Sequence, residues 1–137
     1  MSELELLIDA ARLSYPEAAG GAPGPRVGGV YDYTADGFGQ VPGSFLFWGP
    51  YLDLDPGVYV LNFIGEVEGE LSVEFIHDMG KIRIKRVSLS DLGTAVCVVL
   101  VQAVNRFEIR GVKTRALHRL RLEGIRLHCV HRAAGSL

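Results

Sequence analysis

Cysteine is scarce in this sequence, which has only Cys97 and Cys129 in 137 residues. A chain of this length can bury a sizeable core without covalent staples, so a disulfide framework is excluded as its organising principle. Both cysteines fall in apolar, strand-like runs, and we expect both to be buried free thiols. Apolar runs long enough for a membrane-spanning helix, which needs roughly 20 residues, are missing as well. The longest run, Ala95–Val101, has the length of a strand that is buried on both faces.

An excess of charge of one sign is also missing. The chain has 14 Lys and Arg against 16 Asp and Glu, a formal net charge of −2. Nucleic-acid binders usually carry a basic excess, so nucleic acid is not predicted as a partner. The start, Met1–Asp9, carries acidic residues where a signal peptide has basic ones, and its apolar run is too short. We therefore expect a cytoplasmic protein that does not associate with a membrane.

No segment carries a convincing apolar stripe at helical spacing, whereas alternation of apolar and polar residues is frequent. The stretch Phe45–Ile64 holds two extended runs, Phe45–Trp48 and Val58–Ile64, joined by turns that include Asp55-Pro-Gly57. Further strands are predicted at Leu71–Ile76, Ile82–Val87, Thr94–Val101, Phe107–Arg110 and Leu120–Cys129, the last with a bulge at Glu123-Gly124.

Regularly spaced short strands of this kind predict an all-β fold, an antiparallel β-sandwich of the jelly-roll type. We expect residues 1–137 to form a single domain. Within it, a Gly- and Pro-rich irregular loop spans about residues 15–43, with a short strand near Val27–Tyr33, and residues 132–137 form a loose tail.

The order of elements from Ser44 to His128 resembles the galactose-binding-like jelly rolls, the fold of many carbohydrate-binding modules. Trp48-Gly-Pro-Tyr51 and Leu54-Asp-Pro-Gly-Val-Tyr59 are similar to turn motifs of small β-modules attached to bacterial polysaccharide glycosyltransferases. Phe107–Gly111 and Leu120–Leu127 resemble the closing strand pair of such modules. The resemblance implies a glycan-binding role. The acidic positions of the structural calcium site in many such modules have no match here, so no calcium is expected.

Aromatic side chains are the predicted glycan contacts, because apolar sugar faces stack on rings while hydroxyls take hydrogen bonds from polar side chains. Tyr31, Tyr33 and Trp48 lie in or beside loops, and Tyr31-Asp-Tyr33 places both rings on one side if it is extended. The polar partners predicted beside them are Arg26, Asp36 and His77. The alternative is that Trp48, together with Tyr51, caps one end of the hydrophobic core, and the same two interpretations stay open for Tyr31 and Tyr33.

Catalytic and metal chemistry have no support in the sequence. His128 and His131 are three residues apart, and such positions on a strand face opposite sides. Asp53 and Asp55 share a face when extended, but they suit a solvated turn better. The basic residues of the late strands can pair with nearby glutamates across strands. We expect no cofactor and no metal.

The sequence therefore predicts a non-catalytic carbohydrate-binding module. The alternative function is a protein-interaction or oligomerisation module of a cytoplasmic assembly, which pairs with itself as a homo-oligomer or with an enzyme through a sheet face or an edge strand.

Overall fold

The computed structural model of the chain describes residues 5–16, 28–34 and 42–132. Within these ranges the backbone forms strands, with one short 3-10 turn at Ala10–Arg12. The strands are β1 (Glu5–Asp9), β2 (Tyr31–Thr34), β3 (Phe45–Phe47), β4 (Pro50–Leu54), β5 (Gly57–Glu68), β6 (Leu71–His77), β7 (Ile82–Leu89), β8 (Val96–Leu100), β9 (Val104–Lys113) and β10 (Arg119–Arg132). No helix in these ranges is long and apolar enough to span a bilayer.

The strands pair, all antiparallel, into two sheets of five. The first sheet has the order β1-β10-β5-β8, with β2 also paired to β10. The second sheet has the order β3-β9-β6-β7, with β4 also paired to β9. The two sheets enclose one hydrophobic core, so the predicted all-β antiparallel sandwich is confirmed.

Alternation along the strands decides which side chains enter that core. On β5, Tyr59, Leu61 and Phe63 are buried, while the residues between them are only half-buried. Gly111 on β9 leaves space for the ring of Phe47, because a Cβ at this position would lie 2.1 Å from the ring atom Cε2. Gly111 thus allows the Phe47 ring to pack closely against the backbone of β9.

The predicted bulge in the last strand is confirmed, since the register of β10 on β5 shifts between Leu122 and Gly124. The segment Pro50–Leu54, expected to belong to turns, instead forms strand β4. The Gly- and Pro-rich region contains β2, while its residues 17–27 and 35–41, like residues 133–137 of the predicted tail, lie outside the described residues.

The prediction for β8 is partly wrong. Cys97 and Val99 are exposed, because β8 lies at the end of the first sheet and only its inner residues face the core. Cys129 is buried as expected, and both cysteines are free thiols.

Candidate functional site

Tyr31 and Tyr33, two of the predicted ligand contacts, lie on β2 and pair with Leu122 and Leu120 of β10. These leucines face the core, so the two rings face it too and are 1% and 0% exposed. The prediction that the rings share one side is confirmed. The prediction that they lie uncovered is wrong, because the side they share is the inner side of the first sheet.

The tyrosine rings form part of a packed aromatic group. Tyr15 contacts Tyr31 with ring centroids 4.5 Å apart, and its hydroxyl donates to the carbonyl of Ala10 at 2.7 Å. Burial raises the pKa of Tyr15 and Tyr31 above the ordinary phenol value, with nearby charge as a smaller cause, and burial also raises the pKa of Tyr33. These phenols therefore remain neutral, and their rings pack in or against the hydrophobic core.

Trp48, the third predicted ring, is half-buried where β3 ends. Its backbone is fixed by a two-hydrogen-bond bridge to Ser14, with N–O distances of 2.7 and 3.0 Å. His77 is buried at the end of β6, where it pairs with Ile82. Trp48 and His77 remain predicted contacts. Arg26 and Asp36, the other two, lie outside the described residues.

An ordered polar cluster lies on the outer face of the second sheet, where Phe45 is 39% exposed. The guanidinium carbon of Arg110 lies 4.6 Å from the centroid of the Phe45 ring, within the range of a cation–π contact. Arg110 Nε also donates to Glu108 Oε2 at 2.7 Å. Glu108 is 2% exposed, and this ion pair satisfies a buried carboxylate.

The neighbouring hairpin contributes to the position of Arg110. A Cβ placed on Gly80, in the turn between β6 and β7, would lie 2.5 Å from the terminal nitrogen Nη2 of Arg110. Arg110 is therefore confined by a ring, a carboxylate and a backbone segment. Such confinement lowers the conformational entropy that a guanidinium loses when it binds a ligand.

A polar groove of about 340 Å³ lies on the same sheet, lined by Glu70, Ser72, Arg86, Val87, Ser88 and Thr114. Arg86 Nε donates to Ser72 Oγ at 3.0 Å, and Ser88 Oγ donates to a carboxylate oxygen of Glu70. Thr114 Oγ1 donates to the carbonyl of Glu70 at 2.6 Å. The groove thus combines donors and acceptors that suit the hydroxyl groups of a polar ligand.

Strand register places the ring and the groove in one row. Phe45 pairs with Val112, Val112 with Ser72, and Ser72 with Ser88. Phe45 and Ser88 are therefore three strand spacings apart, about 14 Å. We call this surface the outer binding face and define it by Phe45, Ser72, Glu74, Arg86, Ser88 and Arg110.

Charge on the outer binding face is largely balanced. Glu74 pairs in register with Arg86 on one side and Arg110 on the other, and its carboxylate accepts from Arg83 at 3.3 Å. The predicted pairing of late basic residues with glutamates is confirmed for Arg83 and Glu74, whereas Arg119 pairs with Asp32 at 3.1 Å. In the described part of the chain, no group of three or more His, Cys, Asp or Glu side chains could hold a metal.

Sequence reasoning missed Phe45, Glu108 and Arg110 as members of this candidate site. Alternation in Phe107–Arg110 does place Glu108 and Arg110 on one face, opposite the core residues Phe107 and Ile109. Nothing in the pattern reveals that Glu108 is buried or that Arg110 reaches across to β3. These contacts depend on the order of strands in the sheet.

Neither a protein-family model nor a curated protein sequence matches this chain. Several solved structures share its fold. A chain of the Glycosylation Associate Protein (Gap123) complex from Streptococcus agalactiae has a TM-score of 0.62 at 12% identity, over 94% of this chain. This chain spans 26% of that much longer one.

Two carbohydrate-binding modules also match over nearly their whole length. The C-terminal CBM6 of LamC, a marine laminarinase from Zobellia galactanivorans, has a TM-score of 0.58 at 14% identity over 90% of this chain and 98% of that one. The module CBM6cm-2 from Cellvibrio mixtus lichenase 5A, solved with cellotriose, has a TM-score of 0.51 at 16% identity over 92% and 98%. This chain therefore shares its β-sandwich fold with these modules, which confirms the resemblance at the level of fold.

Proposed function

We propose that this chain is a non-catalytic carbohydrate-binding module that holds a glycan across the outer binding face. One sugar ring stacks on the exposed side of Phe45 and receives hydrogen bonds from Arg110. A neighbouring sugar lies in the groove between Ser72, Arg86 and Ser88. The juxtaposition of an exposed ring and a polar groove in one row of the sheet is the observation that carries this proposal.

The chemistry of the face supports a glycan over other ligands of similar size. Sugars offer apolar faces for stacking and a rim of hydroxyls that both donate and accept hydrogen bonds. Phe45 supplies a stacking surface, the exposed Ser88 hydroxyl donates and accepts, and Arg86 and Arg110 donate in planar forks. Because the face is elongated, an oligosaccharide would contact it better than a single sugar.

The likeness to carbohydrate-binding modules is consistent with this proposal, but it supports the fold and not the position of the site. Trp48 and His77 are proposed as additional contacts at the end of the second sheet, where Pro50 and Ile76 both pair with Glu108. Their contribution is secondary, since His77 is buried and Trp48 is half-buried.

Titration calorimetry against a panel of neutral and acidic oligosaccharides, cellotriose among them, tests the proposal. We expect binding of at least one oligosaccharide, weakened about tenfold, or about 1.4 kcal/mol, by Phe45→Ala. The matched control is Leu7→Ala, which truncates an exposed apolar side chain of the first sheet and leaves the outer binding face intact. Absence of binding across the panel at millimolar concentration, or equal loss in both variants, would contradict the proposal.

A further inference from the structure

Strand β7, at the edge of the second sheet, carries three cationic residues, Arg83, Lys85 and Arg86, and no acidic one. Arg83 pairs with Glu74 at 3.3 Å. Lys85 reaches the first sheet, where its Nζ donates to the carbonyl of Cys97 at 2.7 Å. Arg86 differs from both, because it forms no ion pair with a carboxylate of the described ranges, and its side-chain hydrogen bond there goes to a neutral hydroxyl.

The hydroxyl that orients Arg86 belongs to Ser72, which is 3% exposed on the neighbouring strand β6. The bond joins Arg86 Nε to Ser72 Oγ at 3.0 Å. Since Nε is the inner nitrogen of the guanidinium, this contact fixes the plane of the group. It leaves the two terminal nitrogens, Nη1 and Nη2, without an acceptor among the described residues. Two parallel N–H bonds in such a fork match the two oxygens of a carboxylate.

The carboxylate closest to Arg86 in strand register is already engaged elsewhere. Glu74 lies opposite Arg86 on β6, but its Oε2 accepts from Arg83. The charge of Arg86 therefore lacks a direct counter-ion within the protein, at the border of a polar groove. A cation placed in this way favours an anionic ligand over a neutral one.

The other end of the groove has the opposite character. Ser88 lies two residues beyond Arg86 on β7, about 6.6 Å away, and its hydroxyl donates to Glu70 Oε1. The second carboxylate oxygen of Glu70, Oε2, can accept a hydrogen bond from a sugar hydroxyl. The groove thus offers a donor fork at one end and an acceptor at the other. This combination suits a sugar that bears an acid group on one side and hydroxyls on the other.

We propose that the glycan is acidic, and that Arg86 binds the carboxylate of a uronic acid unit through Nη1 and Nη2 while Glu70 accepts a hydroxyl of the same unit. This inference rests on the proposed function and names the substrate class of the groove. The charge of Arg110, at the other end of the row, is compensated by Glu108 at 2.7 Å, so the sugar on Phe45 needs no acid group. Arg86 is the specificity-determining residue, and Ser72 is its positioning residue.

Titration calorimetry with matched pairs of oligosaccharides tests the charge preference. Trimers of galacturonate, glucuronate and mannuronate are each compared with their neutral methyl esters, at about 50 mM and about 300 mM sodium chloride. We expect at least one acid form to bind at least about tenfold more tightly than its ester at low salt, with a preference that shrinks at high salt. Equal or tighter binding of a sulfated cellotriose would overturn the assignment to a carboxylate.

Variants assign the preference to its residues. Arg86→Gln should abolish the preference for the acid form and leave the affinity for the neutral ester within about twofold. Ser72→Ala should reduce the preference several-fold, because it keeps the charge of Arg86 but releases Nε. Arg126→Gln is the matched control, since Arg126 is an exposed arginine on β10 of the first sheet. A preference that survives Arg86→Gln, or that falls equally with Arg126→Gln, overturns the inference.

The inference and the proposed function fail in different ways. If neutral oligosaccharides bind and the acid group brings no gain in affinity, the inference is wrong and the glycan-binding function stands. If neither the acidic nor the neutral trimers bind at millimolar concentration, both are wrong.

Discussion

The guanidinium of Arg110 lies 4.6 Å from the ring centroid of Phe45 and is bound at 2.7 Å by the buried carboxylate of Glu108. This arrangement links three strand positions of the second sheet into one preorganised surface. Glu108 is buried, and Arg110 provides the cationic partner of its carboxylate.

Arg110→Met should destabilise the protein by about 3 kcal/mol, because it leaves the carboxylate of Glu108 buried and unpaired. Adding Glu108→Gln should recover part of that loss, since the unpaired charge is then gone. Urea unfolding of the two single variants and the double variant measures the coupling between the two residues. If the stability losses of the two single variants add up in the double variant, Arg110 and Glu108 are not energetically coupled, which would contradict the prediction.

Gly111→Ala should cost at least about 1–3 kcal/mol of stability, because its Cβ would overlap the ring of Phe47 in a packed core. Gly93→Ala is the control: the nearest atom to its Cβ is Asp91 Oδ1 at 3.2 Å, on an exposed side chain that accepts a hydrogen bond from the Gly93 N–H at 2.8 Å and has room to shift. Thermal unfolding of both variants checks this prediction. Equal shifts in the two midpoints would contradict the packing described for Phe47.

The sequence predicts the fold of this protein better than it predicts the candidate site. Alternation in β5 and β10 predicts a sandwich and even the bulge before Gly124, because periodicity and glycine are local signals. The same alternation places Tyr31 and Tyr33 together but cannot say which side is covered, since that depends on β2 pairing with β10. The uninterrupted apolar run around Val99 predicts a strand that is buried on both faces. Only the order of strands shows that β8 lies at the edge of its sheet. Location in the cytoplasm stays a prediction.

The ionisation of Asp9 should make the stability of the protein depend on pH in the acidic range. Its carboxylate accepts from the backbone N–H groups of Ala11 and Gly28, each at 2.9 Å, and these bonds lower its pKa. A carboxyl whose pKa is lowered by folding stabilises the protein above its unfolded pKa, about 3.9, and this contribution is lost as the pH falls through the folded value.

Asp9→Asn should therefore be less stable than the native chain at pH 7, with a difference that shrinks as the pH falls below about 4. Urea midpoints of both proteins, measured from neutral to acidic pH, check this. A difference that stays constant or grows in acid would show that Asp9 does not act through its charge.

The phenols of half-buried Tyr15 and of buried Tyr31 and Tyr33 should make the protein sensitive to alkali. Burial raises the pKa of Tyr15, Tyr31 and Tyr33, so each favours the folded state below the unfolded phenol pKa of about 10. That stabilisation is lost as the pH rises from there towards the folded values. We expect tyrosinate absorbance from these rings to appear together with loss of the β-sheet circular dichroism signal. Their ionisation in a protein that remains folded would contradict the burial described.

The most direct test of the proposed glycan site is chemical-shift mapping on isotope-labelled protein, titrated with the oligosaccharide that binds best in calorimetry. The account predicts shifts of the amide signals of Phe45, Ser72, Ser88 and Arg110, with β8 unaffected. Shifts confined to β8 and the first sheet, or to none of the second-sheet strands, would contradict it.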